Sequence, residues 1–278
     1  MYDGLSWVWE RRAKVTDIEI QRRALEKAWQ NALDDYSEEP LKSVMDYALR
    51  GGKCLRGLLL ISTTTACGGE KVVSIPPAVA IEMVHAASLA VDDLPALDGS
   101  DARRGRPALH RQFGEAQAIL AAHALVAAAF QVLIAAPLES ERTLTLIKFF
   151  SAAVGGRGMA LGELLDIEKG NTTDRAVDQL KTAVLFQTAA EAGGLVAGVG
   201  DDLLALLGQF GTRIGCCYQT LDDLEDTPDS DDDSVNIRGD FHEQLAAAGR
   251  SLEKLQPKLA DPAPLVQWLD WVSSLQHS

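Results

Sequence analysis

Apolar residues recur at helical spacing along almost the whole chain and strand-like alternation is scarce, so a sequence that is 47% hydrophobic can bury its core only by packing helix against helix. The spacing predicts helices over about 17–36, 38–50, 53–67, 74–93, 112–136, 139–154, 157–168, 176–198, 201–227 and 238–255. Breaks are expected where Gly, Pro or Asp cluster: Gly51-Gly52, Gly68-Gly69, Pro76-Pro77, Gly99 to Pro107, Gly155-Gly156, Gly170 to Asp174 and Thr227 to Asp233. No internal repeat or low-complexity linker divides the 278 residues, which predicts one all-α domain over 1–278.

Two acidic clusters interrupt this apolar pattern. Asp92-Asp93-Leu94-Pro95-Ala96-Leu97-Asp98 is followed by Arg103-Arg104-Gly105-Arg106-Pro107, and Gln219 to Asp226 lies far downstream. In the second cluster Gln219, Asp222, Asp223 and Asp226 fall at i, i+3, i+4 and i+7, so they share a helix face. In the first, Asp92 and Asp98 are off-register for a regular helix and Pro95 disturbs the ladder. Both can face one ion only if the backbone unwinds there. A lone acidic pair ordinarily marks a solvated face. Two clusters within apolar helical stretches instead predict cation binding, and hard carboxylate oxygens favour Mg²⁺ bridged to phosphate.

A net charge of −14 argues against nucleic acid as a partner, since phosphate backbones are held mainly by basic patches. Local cations can still hold a diphosphate. Gly51-Gly52-Lys53-Cys54-Leu55-Arg56 places two cations at a predicted helix start, where backbone N–H groups and the helix dipole favour an anion. His85 lies seven residues before Asp92, on the same helical face, and Lys181-Thr182 adds a cation and a hydroxyl. Each of these alone is ordinarily structural.

The four cysteines lack metal-ligand spacing, and Cys216 and Cys217 are adjacent, so all four are expected to be buried thiols of a reducing compartment. Met1 to Lys14 has no continuous apolar core of a signal peptide, and no run of about 20 uninterrupted apolar residues is found. Ala118 to Ala136 comes nearest, and with its alanines, His123 and Gln131 it reads as a buried helix. The expectation is a soluble cytoplasmic protein without a transmembrane segment. Trp7, Trp9, Trp268 and Trp271 are expected at the ends of the bundle or in a subunit contact.

In their order, these elements resemble the trans-isoprenyl diphosphate synthases, most closely the bacterial geranylgeranyl diphosphate synthases of carotenoid pathways. The resemblance runs from Gly51 to Arg56, through Glu82-Met83-Val84-His85-Ala86-Ala87-Ser88-Leu89 into Asp92 to Asp98. It continues through Arg103 to Pro107, His110, Phe113-Gly114-Glu115, Ala118-Ile119-Leu120 and Lys181-Thr182 to Gln219 through Asp226.

This resemblance implies an isoprenoid-synthase helical bundle around a central cavity, a homodimer, and head-to-tail condensation of isopentenyl diphosphate with an allylic diphosphate. Asp92, Asp98 and Asp222 are implied to hold Mg²⁺ on the allylic diphosphate, with Asp93, Asp223 and Asp226 completing or supporting the cage. Arg103, Lys181 and Gln219 would contact that diphosphate, with Thr182 near the leaving oxygen. Lys53, Arg56, His85 and Arg104 would hold isopentenyl diphosphate. Ala87 and Ser88 would line the wall along which the product grows, and their small size implies a twenty-carbon product.

The sequence departs from the family pattern at Cys54 and Gly57, where Arg and Pro are usual, and at His123, often Asp. Thr227 to Asn236 is a short acidic loop without the usual Lys. Alternatives are a farnesyl or other chain-length synthase, a non-catalytic prenyl-diphosphate-binding partner subunit, and a terpene cyclase. The last is disfavoured by the residues for a second diphosphate.

Overall fold

The computed structural model describes the backbone of residues 6–169, 179–226 and 232–275, and the side chains of residues 19–168, 180–222, 224 and 237–275. Helices make up nearly all of the regular structure among the described residues, and the one sheet is a pair of two-residue strands. Two compact units emerge: one comprises the chain up to Leu58 together with Ala78–Val132, the other Leu59–Pro77 together with the chain from Leu133 onward.

The first unit draws on α1 (Ser6–Tyr36), α2 (Leu41–Leu49), the start of α3 (Leu55–Ala66), most of α4 (Lys71–Asp92), the strands β1 (Ala102–Arg103) and β2 (Arg106–Pro107), α5 (Leu109–Phe113) and most of α6 (Glu115–Ala135). Leu25, Trp29 and Leu33 repeat every four residues on α1 and are at most 2% exposed, so one stripe of this otherwise polar helix is buried. Burying a large apolar side chain contributes about 1.5–3 kcal/mol, which holds α1 in place despite its charged face.

The second unit contains α7 (Ser140–Val154), α8 (Met159–Lys169), a π turn (Gln179–Ala183), α9 (Val184–Ala197), α10 (Asp201–Asp226), α11 (Asp232–Leu255) and α12 (Ala263–Ser274). α10 packs against α9, α11 and the π turn, with Phe186, Phe210, Ile214 and Phe241 fully buried among them. Trp268 of α12 donates its indole N–H to Ser62 Oγ (3.0 Å) and meets Trp271 edge-on, an intrachain packing role. The side chains of Trp7 and Trp9 lie outside the described residues.

Several boundaries differ from the sequence reading. α4 begins at Lys71 rather than 74, and carries Pro76 and Pro77 in its second turn, where a break was expected. α11 begins at Asp232, within the expected acidic loop. α12 was not predicted. Three stretches, Lys71–Asp92, Glu115–Ala135 and Ser140–Glu168, are long and apolar enough by length and composition to cross a membrane. They were not singled out by a search for uninterrupted apolar runs, because averaged hydropathy tolerates a few polar residues that break such a run. The first of them is 61% buried within the protein, the mark of a core helix.

All four cysteines are free thiols, with Cys54 and Cys217 buried. Burial pushes the Cys67 thiol up to about 11 and that of Cys217 to about 12, so neither is a ready nucleophile.

Candidate active site

In the first unit the acidic cluster sits where α4 stops. The helix ends at Asp92, and the Asp98 N–H donates to the Asp92 carbonyl (2.9 Å) while Gly99 N–H donates to Leu94 O (3.0 Å). The chain thus unwinds as the spacing of the two aspartates requires, and Pro95 lies in this turn outside any helical ladder. Asp92 is half-buried and Asp98 exposed, tied together through their backbones.

Asp93 behaves differently, because one step along a helix rotates a side chain by about 100°. It is 2% exposed, and its Oδ1 accepts from Arg103 Nε (3.0 Å) and Nη2 (2.5 Å). In this structure the carboxylate is taken up by Arg103. That hydrogen bond, outweighing the penalty of burial, raises the Arg103 pKa and keeps the guanidinium charged.

The arginines that follow are displayed by a hairpin. Ala102 pairs with Pro107 and Arg103 with Arg106, leaving Arg104 and Gly105 as a two-residue turn with φ of 55° and 71°. Positive φ at both central positions is what a type I′ turn demands; glycine accepts it freely, whereas Arg104 holds it at a cost of order 1 kcal/mol. The hairpin is clamped to α2 by Tyr47, whose hydroxyl donates to Pro107 O (2.9 Å) and whose ring lies 4.3 Å from the Arg106 guanidinium carbon. Arg106 Nη2 donates to Arg50 O (2.7 Å).

The two glycines of Gly51-Gly52 serve separate needs. Gly51 has φ +81°, whereas Gly52 leaves room for Arg104: a Cβ there would lie 3.1 Å from Cζ, Nη1 and Nη2 alike. The guanidinium therefore lies flat over the Gly52 backbone. Arg56, 8% exposed, donates from Nη1 to His85 Nε2 (3.0 Å). Arginine can only donate, so Nε2 is the acceptor and the imidazole proton sits on Nδ1. Burial, reinforced by Arg56, Arg104 and Arg103, holds His85 neutral, well below its ordinary value. The structure thus brings Arg56 and His85 together and seats Arg104 on Gly52; Lys53 is exposed.

Two of the N–H groups opening α3 already have a partner within the protein: Gly57 N–H donates to Glu82 Oε1 (2.7 Å) and the Arg56 backbone N–H is bonded to the same side chain. Glu82 was quoted in the sequence without a role; a lone Glu in an apolar helix gives no hint that it caps another helix. Nearby on α4, Ala87 is buried and Ser88 Oγ donates to His85 O (2.9 Å).

In the second unit the π turn carries Lys181 and Thr182. Such turns are frequent at functional sites because the extra residue re-aims side chains. Two close approaches hold it: a Cβ on Gly162 of α8 would lie 2.9 Å from Lys181 N, and one on Gly215 of α10 would lie 2.7 Å from Ala183 Cα. Thr182 Oγ1 donates to Gln219 Oε1 (2.6 Å), bringing together two residues that the sequence placed at one site. Lys181 Nζ is paired with Glu163 Oε2 (3.1 Å) and with Asp166 Oδ2. Burial pushes Lys181 down, but the two carboxylates outweigh it and hold the pKa above its ordinary value. Glu163 and Asp166 were missed, although their spacing at i and i+3 on a predicted helix places them on one face.

Asp222 is half-buried one turn beyond Gln219, while the side chains of Asp223 and Asp226 and residues 227–231 lie outside the described residues. Among the described residues no three His, Cys, Asp or Glu side chains gather as a closed metal cage. Hard oxygen donors, Asp92 and Asp98 on one turn of the first unit and, separately, Asp222 on α10 of the second, are of the kind Mg²⁺ takes, since it binds one or two carboxylates together with water and substrate phosphate.

Residues 38–247 match the polyprenyl synthetase family. The chain is 36% identical to farnesyl diphosphate synthase of Geobacillus stearothermophilus, over 82% of this chain and 84% of that one. It is 35% identical to a heterodimeric geranylgeranyl pyrophosphate synthase large subunit of Arabidopsis thaliana over 75% of this chain, and spans only 58% of that relative's length. Among solved structures, geranyltransferase from Legionella pneumophila superposes with a TM-score of 0.84 at 25% identity, covering 96% of this chain and 98% of that one. The corresponding values for the Helicobacter pylori geranyltransferase are 0.80, 26%, 92% and 97%. By its sequence match and its all-α isoprenoid-synthase fold, the chain belongs to the polyprenyl synthetase family.

Proposed function

We propose that the chain is a Mg²⁺-dependent short-chain prenyltransferase that joins isopentenyl diphosphate to an allylic diphosphate and releases geranylgeranyl diphosphate. The observation that carries this reading is the presence of two separate cationic sets in one chain. Arg56 with His85, and Arg104 on Gly52, suit one diphosphate; Lys181 with the Thr182–Gln219 pair suits another. A cyclase, which ionises a single substrate, needs only one.

Asp92, Asp98 and Asp222 are assigned to Mg²⁺, which when bound neutralises the departing diphosphate. Arg103, its direction set by Asp93, and Lys181, kept protonated by Glu163 and Asp166, are each assigned to stabilise the charge that develops as the allylic C–O bond breaks and the diphosphate leaves with the electron pair. Arg56, neutral His85 and Arg104 hold isopentenyl diphosphate so that its double bond meets the allylic carbon, and positioning of this kind supplies much of the rate. The proton lost from the new chain goes to the released diphosphate, so no side-chain base is assigned.

Buried Ala87 and half-buried Ser88, both small, support a twenty-carbon product. The Geobacillus relative, a farnesyl diphosphate synthase, favours fifteen carbons as the second reading. The chain is further read as one cytoplasmic synthase domain acting as a homodimer with its apolar helices packed in protein; exposed Ile119, Leu120 and Ile134 on α6 support a subunit contact.

Purified protein given Mg²⁺ and labelled isopentenyl diphosphate, with and without an allylic co-substrate, should yield a C20 alcohol after dephosphorylation only when both are present. Asp92→Ala, Asp222→Ala or EDTA should cut turnover by orders of magnitude, and Ala87→Phe should shift the product toward C15. No condensation at all, or full activity in EDTA, refutes the reading; a C15 product from the parent replaces the chain length alone.

A further inference from the structure

Glu82 is 5% exposed, carries no part of the proposed chemistry, and yet sits under the seat given to isopentenyl diphosphate. Its Oε1 accepts from Gly57 N–H at 2.7 Å and its carboxylate is also bonded to the Arg56 backbone N–H, so one acidic side chain from α4 caps the first turn of α3. A carboxylate there satisfies helix-end donors that would otherwise be buried unpaired, and it complements the helix dipole. The contact depends on a glycine: a Cβ on residue 57 would lie 3.0 Å from Ala78 O and 3.2 Å from Glu82 Cγ. Proline, usual here in the relatives that the sequence resembles, has no N–H to give.

Burial raises the pKa of Glu82 above the ordinary carboxylate value, opposed by the Gly57 N–H bond and by the nearby charges of Arg56 and Arg104. Arg56 in turn donates to His85 Nε2, which is therefore the accepting nitrogen of the ring. A rigid chain of contacts thus runs from Glu82 through the first turn of α3 to the Arg56 guanidinium and the His85 ring.

We propose that Glu82 is a positioning residue for the isopentenyl diphosphate seat: by holding the backbone of Arg56 and Gly57 it fixes the direction from which Arg56 and His85 meet that substrate. This rests on the prenyltransferase reading above. It adds a selective effect, since the residues whose backbone Glu82 holds, Arg56 and Gly57, are not assigned to the allylic diphosphate.

The test is isothermal titration of the full chain and its E82Q and E82A variants with isopentenyl diphosphate and, separately, geranyl diphosphate, with ¹⁵N NMR of the His85 ring. E82Q keeps the volume and one acceptor oxygen, so it should weaken isopentenyl diphosphate about threefold; E82A should weaken it about tenfold or more. Geranyl diphosphate affinity should stay within twofold, and the His85 Nε2 resonance should lose its accepted hydrogen bond in E82A. If E82A does not fold, E82Q decides. Isopentenyl diphosphate affinity unchanged in E82Q, or equal losses for both ligands, overturns the role of Glu82 and leaves it a stability residue. A parent chain that binds no isopentenyl diphosphate instead sinks the prenyltransferase reading, and this inference with it.

Discussion

Adjacent glycines that look alike in sequence should fail in different ways. A methyl at residue 52 would lie 3.1 Å from all three central atoms of the Arg104 guanidinium, well inside the ~3.5–4.0 Å of relaxed contact. The group must move by about half an ångström or more, and it is the far end of a flexible side chain, so the displacement costs little folding energy. Its cost falls on the ligand. A charge-assisted hydrogen bond is worth about 1.5–3 kcal/mol, and about 1.4 kcal/mol is a factor of ten. Gly52→Ala should therefore raise the KM for isopentenyl diphosphate roughly tenfold, leaving the allylic KM and the melting temperature near parental values. Gly51→Ala is the control: its Cβ meets only ordinary contacts at 3.7 Å and beyond, but φ is +81°. It should lose about 1 kcal/mol of stability, a fall of a few degrees in Tm, with less effect on KM. Steady-state kinetics on both substrates and thermal unfolding of both variants check the pair. An isopentenyl diphosphate KM within twofold of the parent in Gly52→Ala would show that Arg104 does not bind that substrate from its seat on Gly52.

Other perturbations separate the remaining contacts. His85 is held neutral, so below about pH 6.5 the unfolded chain takes up a proton that the folded one refuses, and stability falls as pH drops through that window, by up to ~1.4 kcal/mol per unit; His85→Gln should flatten this slope in urea titrations from pH 7 to 5, and an unchanged slope refutes it. Arg103→Ala leaves the Asp93 carboxylate buried without its partner and should cost about 3 kcal/mol of stability by denaturant unfolding, more than Asp93→Asn; the reverse order would mean that the pair is not what holds the turn. Gly162→Ala pushes on the π turn at Lys181 N, so turnover should drop severalfold with the isopentenyl diphosphate KM unchanged, and a selective rise in that KM would contradict the assignment.

Helical periodicity located most of the helices, because amphipathic spacing is a local property, and the aspartates, arginines and Lys181-Thr182 stood out because charge in an apolar stretch is costly without a purpose. The missed α12 buries Trp268 and Val272, yet its short sequence offers too few turns for the period to declare itself. What the sequence could not decide is which way each side chain turns. Asp92 and Asp93 are neighbours with the same charge, and only the rotation at the end of α4 leaves the first half-exposed and buries the second against Arg103. Glu82 and the first turn of α3 are 25 residues apart along the chain, so their bond arises solely from the packing of two helices at a glycine. Lys181 finds Glu163 and Asp166 on α8, at separations that follow from packing rather than from the period of one helix. Residue type and spacing therefore named the chemistry, while the partner of each charge was set by distances between elements, which exist only once the chain has folded.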